Sequence, residues 1–173
     1  MFQVLRKWFI KEDGTTAIEF SMLLMPYLMI SLGIIEISLM FASASLLEGA
    51  TDSASRIIRT GQVQQSGGDP ETMFRDALCE FAVVLVRCED VTVEAIRMDS
   101  YGDYSDAVLD GDGNMVSQGF DVGGSSDKVL IRVSYRYEMM TPLVGELLNG
   151  SDGSRLFIST IVLQTEPYEF QGA

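Results

Sequence analysis

The sequence contains no histidine, and this one absence removes His-based triads, His general bases and His metal ligands together. Basic side chains are scarce. Only 12 Lys and Arg stand against 25 Asp and Glu, giving a formal charge of −13. A surface of that sign repels phosphate backbones, so nucleic acid is not an expected partner. There are two cysteines, Cys79 and Cys88. Two thiolates without histidine do not complete a zinc site. They are expected to be reduced in a cytosolic protein and paired in an exported one, so their meaning waits on location. The 173 residues allow one modest domain plus a hydrophobic anchor.

What the chain does have is one long apolar run, "AIEFSMLLMPYLMISLGIIEISLMFASASLL", from Ala17 to Leu47. A helix rises about 1.5 Å per residue, so about 20 residues cross a hydrocarbon core of roughly 30 Å. The stretch from about 17 to 36 suffices as a transmembrane part. Glu36 then falls near the far interface, where a carboxylate reaches water or pairs with another subunit. "ASAS" at 42–45 imitates a signal-peptide cleavage site, but the run before it is too long for a signal core. The helix is expected to continue to about Thr60, with Gly61 as its stop. Arg6, Lys7 and Lys11 precede the run. Positive residues beside a membrane helix stay cytoplasmic, which places the N-terminus inside and residues 62–173 outside.

Glu19 lies one turn inside this run. It reads either as an interfacial carboxylate or, if the chain is cut after Gly14, as the fifth residue of a mature chain starting at Thr15. A free α-amino group on one helix then meets the Glu19 carboxylate of a neighbour. Opposite charges neutralise each other in low-dielectric surroundings and mispaired ones are costly, so the pair sets helix register. Pro26 removes one backbone hydrogen bond inside the span. Ser38, Ala42, Ser45, Gly49 and Ser53 share one side of the helix and let another backbone approach, from either the protein's own outer domain or a second helix of the same kind.

The outer segment reads as α+β. Asp69 caps and Pro70 opens a helix expected over about 69–86, with Met73, Phe74, Ala77, Leu78 and Phe81 at helical spacing. Strands are expected over about 90–98, 128–139 and 155–166, the last of them covered on both faces. "TPLVGELL" reads as a short helix and "NGSDG" as a turn. An antiparallel sheet with the long helix across one face buries both amphipathic surfaces. Asp110, Asp112, Asn114 and Asp121 imitate calcium-loop spacing. Met115, however, stands where such loops want glycine, and no glutamate closes the set. "GGSSDK", with Lys128, reads as a flexible loop, and no base, nucleophile and orienter come together, so no enzymatic function and no cofactor are expected.

A short basic leader, "GTTAIEF", "MPYLMISLGIIEISLMF", the two cysteines and "VSYRYEMMTPLVGELL" together resemble a type IV pilin precursor. The match is closest to the TadE-like minor pilins, or pseudopilins, of the tight-adherence (Tad/Flp) pilus, and covers nearly the whole chain. The resemblance implies a type IV pilin-like α+β fold, with a long N-terminal helix packed on a small antiparallel sheet. It also implies cleavage of leader 1–14 by an aspartic prepilin peptidase, and a structural role beside other pilin-like subunits and the inner-membrane assembly platform. The domain would then be periplasmic and Cys79–Cys88 a structural disulfide. The rival expectation is an uncleaved single-pass protein whose acidic outer domain binds a ligand or secretion component.

Overall fold

A single helix, α1, runs from Thr15 to Arg59 in the computed structural model, which describes residues 15–82, 85–141, 145 and 153–167. Its 45 residues contain only one helix breaker, Pro26, whose missing N–H leaves the Met22 carbonyl without its usual donor. The helix ends where the sequence places the stop. Gly61 adopts φ 74°, and its N–H reaches the Ile58 carbonyl at 3.1 Å. A residue with a Cβ resists that left-handed conformation. The leader with Gly14 lies outside the described residues. So do the expected short helix and turn over 141–153, apart from Thr141, Gly145 and Gly153.

Helix α2 (Gln62–Ser66) turns the chain into α3 (Pro70–Ala82). The Asp69 carboxylate caps α3 by accepting the Thr72 N–H at 2.9 Å, and Phe74 and Leu78 are fully buried against α1. The helix was expected to reach Val86, but Leu85 already lies in a turn. The reason is the disulfide. Cys79 and Cys88 are joined with Cα atoms 5.8 Å apart, whereas nine residues of continuous helix would separate them by about 13 Å. The chain must therefore leave the helix early. Converting both cysteines to serine is expected to cost roughly 2–3 kcal/mol, the value for closing a loop of about ten residues. Urea denaturation of the oxidised and dithiothreitol-reduced protein measures it, and identical midpoints would refute it.

Strands β1 (Val91–Met98), β2 (Lys128–Glu138) and β3 (Ser154–Gln164) form an antiparallel sheet in the order β1-β2-β3. Cross-strand partners include Val93 with Val133 and Ile131 with Ile161. Val129, Ile131, Val133 and Tyr135 face Leu47, Ala50, Ala54 and Ile58 of α1, and this is the core. The expected α+β architecture, with a long helix across a small antiparallel sheet, is the one observed.

One strand assignment is corrected. The strand covered on both faces is β2, not β3. Segment 99–127 passes Phe120 and Val122 to the α1 side, and its earlier part, through Gln118, folds over the face away from α1. There it buries Leu130, Arg132 and Ser134 but leaves Ile158 and Val162 of β3 exposed. The same segment covers the free edge of β1, where Ala95 exchanges hydrogen bonds with Gly119 and Asp121. The outer edge of β3 has no such cover among the described residues.

Candidate functional site

The first five turns of α1 touch almost nothing. Residues 15–35 are exposed except for a few half-buried positions, and Met22, Leu23, Met25, Tyr27 and Ile30 point outward. Burial against the domain begins abruptly at Glu36. Twenty-one residues of helix span about 31 Å, close to the hydrocarbon thickness of a bilayer. By length and composition, α1 is apolar enough to cross a membrane. Thr15, Glu19 and Pro26 all sit on this bare segment and are exposed. The helix thus presents Glu19 free of any partner within the described chain.

Glu36 contradicts its expected place at a wet interface. It is 2% exposed, and four donors saturate its carboxylate. Oε1 accepts from Tyr137 Oη at 3.1 Å and from the Met140 N–H at 3.0 Å. Oε2 accepts from the Thr141 N–H at 3.0 Å and from Thr141 Oγ1 at 2.9 Å. The end of β2 therefore closes over the charge and replaces its water. Burial, and then the bond to Glu36, push the Tyr137 phenol up to about 12, so it remains a donor at any physiological pH. No local sequence signal announced this site, because the donors lie 101 to 105 residues further along.

The small-residue stripe also lands differently from its first alternative. Ser38, Ser45 and Gly49 are exposed, and Ala42 and Ser53 are half-buried. The domain instead packs on the neighbouring face of Ser43, Leu47, Ala50, Thr51 and Ala54. A Cβ built on Gly49 would meet nothing within 4 Å, so the domain does not require a glycine there. Between this stripe and β3 lies an open groove of about 680 Å3, lined by Ser45, Gly49 and Asp52 on one side and Phe157, Ser159 and Ile161 on the other.

The acidic loop is built around an arginine. Arg136 donates to Asn114 Oδ1 at 2.7 Å and to the Asp112 carbonyl at 3.0 Å. Asp110 accepts from the backbone of Asn114 and Asp112, and bonds from the Asn114 backbone first of all hold its carboxyl below the usual range. Asp121 turns to the Gly123 N–H. Among the described residues no group of three or more His, Cys, Asp and Glu is placed to hold a metal ion.

Behind β2, sequence reasoning missed a buried ion pair. Arg132 Nη1 lies 2.8 Å from Glu94 Oε2, with both side chains at most 2% exposed. Strand register makes them directly opposite, Gln118 N–H binds the other Glu94 oxygen, and the Tyr104 ring lies over the guanidinium at 5.6 Å. Arg132 Nη2 is buried without a hydrogen-bond partner among the described residues.

Comparison with known proteins agrees with the resemblance where it is strongest. The family model described as TadE-like protein matches residues 14–56. That match takes in Gly14, Glu19, the bare apolar segment, Glu36 and the small-residue stripe. It stops short of Cys79, Cys88 and the C-terminal segment "VSYRYEMMTPLVGELL", so the likeness is narrower than the sequence reading had it. No curated protein and no solved structure matches the chain.

Proposed function

We propose that this chain is a pilin-like structural subunit, a minor pilin or pseudopilin, that helps to initiate or support assembly of a tight-adherence pilus at the bacterial inner membrane. The observation that carries the reading is the bare segment 15–35: an apolar helix long enough for a bilayer, left uncovered by its own domain, in the stretch that matches TadE-like proteins. In this reading a prepilin peptidase cuts between Gly14 and Thr15. The new α-amino group of one helix meets Glu19 of another, and Ser38, Ala42, Ser45 and Gly49 form the face against which a neighbouring pilin-like helix packs. Pro26, in the middle of the span, loosens the helix for the moment when the subunit leaves the bilayer. The N-terminus is cytoplasmic and the α+β domain periplasmic, where Cys79–Cys88 persists. The role is structural rather than enzymatic.

The intact mass of membrane-extracted protein, from cells with and without active prepilin peptidase, tests this. Loss of residues 1–14 only when the peptidase is active is the expected result. An uncut chain in both samples would favour the second reading, an uncleaved single-pass protein whose outer domain binds a ligand or secretion component. One observation stands on that side. The outer edge of β3, uncharged from Leu156 to Leu163 and without a strand partner among the described residues, is open to an added strand.

A further inference from the structure

The side of α1 turned away from Leu47, Ala50 and Ala54 keeps a pattern of charge that the domain does not use. Ser38, Ser45, Glu48, Asp52, Arg56 and Arg59 recur along it at spacings of seven, three, four, four and three, and all six are exposed. The charges are sorted along the axis. Two acids, Glu48 and Asp52, come first, and two bases, Arg56 and Arg59, follow about two turns later. Among the described residues no ion pair holds Glu48, Asp52 or Arg56. Arg59 lies 3.8 Å from Glu166, with both side chains more than half exposed. The wall of β3 that flanks this side, Phe157 to Ile161, is uncharged, so these four residues set the charge pattern that a partner meets.

We propose that a second copy of this chain docks its own α1 on this side, parallel to the first and displaced along it by seven to eight residues, so that Glu48 and Asp52 of one copy face Arg56 and Arg59 of the other. The inference rests on the reading that residues 15–35 cross a membrane, because helices that enter one bilayer from the same side lie parallel. Parallel copies at equal depth set Glu48 against Glu48 and Arg56 against Arg56, which repels. A displacement of four residues sets Asp52 against Arg56 but also Glu48 against Asp52. At seven residues Asp52 reaches Arg59, at eight Glu48 reaches Arg56, and no like-charged pair remains. That displacement is about 11 Å along the helix. Ser38 of the higher copy then lies opposite Ser45 of the lower one, and small side chains there let the two backbones approach. The occupant follows from charge complementarity. On a chain of charge −13, surfaces that accept acids are scarce, and here the side that offers two acids also offers the two matching bases. Exposed ion pairs add little affinity each, so their effect is to choose among registers, the wrong ones opposing like charges. Copies seated level repel, and the attractive register is reached when one stands about 11 Å higher than the other.

The test uses the full chain in detergent, where no bilayer thickness fixes the relative depth of two copies. Differently tagged copies carry Ser38→Cys, Ser45→Cys or Gln62→Cys, all at exposed positions, with Cys79–Cys88 intact, and mixed samples are oxidised with copper phenanthroline. The expected result is a 38–45 cross-link several-fold stronger than 38–38 or 45–45. Glu48→Arg or Arg56→Glu, each alone in every copy, should lower it several-fold, and the two together should restore it. Both residues are exposed, and an unchanged thermal midpoint shows that the fold is kept. Dominant 38–38 and 45–45 links overturn the displaced register, and a 38–45 link unmoved by the reversals overturns its charge basis. Either result leaves the membrane span standing. Absence of any link between copies overturns the second copy as occupant and leaves this side to a different subunit. A dominant 45–62 link is the product of antiparallel copies, and it overturns the pairing together with the shared span on which it rests.

Discussion

Replacing Glu36 with alanine will destabilise the domain by about 2–4 kcal/mol, because it takes the acceptor from a buried tyrosine hydroxyl and from two part-buried backbone N–H groups and the Thr141 hydroxyl. For a domain of this size, that lowers the thermal midpoint by roughly 10 °C. The loss will be local before it is global. Hydrogen exchange in the full chain, held in detergent, will show the Met140 and Thr141 amides losing protection while those of β1 keep theirs. Glu36→Gln will recover only part, since an amide keeps one acceptor oxygen where the carboxylate offers two. Unchanged protection at Met140 and Thr141 in the alanine variant would show that Glu36 does not hold the end of β2. The site matters because it fixes where the bare apolar part of α1 stops and the domain starts.

The larger single effect is expected at Glu94. Glu94→Ala leaves the Arg132 guanidinium buried, charged and unpaired, and should cost about 3–5 kcal/mol. Arg132 already has one nitrogen without a hydrogen bond, so no second acceptor stands ready to compensate. Combining Glu94→Leu with Arg132→Met should restore most of the stability, since removing both charges removes the desolvation cost as well. Urea denaturation, followed by near-ultraviolet circular dichroism of the tyrosines, measures both. A single-variant cost below about 1 kcal/mol would mean that water reaches the pair, because exposed ion pairs contribute that little.

Much of the architecture could be read locally. The apolar run of α1, the stop at Gly61, the Asp69 cap and the alternating strands each depend on residues within a few positions of one another. Their expected bounds differ from the observed ones by only a residue or two. The exception was the end of α3, where a disulfide partner nine residues away outweighed helical periodicity. Periodicity also showed that Ser38, Ala42, Ser45 and Gly49 share a side. It did not show what that side meets, because Leu47, Ala50 and Ala54, on an adjacent side, are equally suited to packing.

The sequence by itself determined that this chain carries an apolar helix of membrane length, an acidic α+β segment without histidine, and a stretch over residues 14–56 that is similar to TadE-like proteins. Only the tertiary structure decided which face of α1 is free and which edge of the sheet is open. It alone showed that Glu36 is closed by Tyr137, Met140 and Thr141, and that Arg132 meets Glu94 beneath segment 99–127. The physical reason is range. Helix and strand formation follow from dihedral preference and hydrophobic period over a few residues. A buried charge is tolerated only where donors or a counter-charge from distant parts of the chain arrive together, and nothing in the local pattern encodes their arrival.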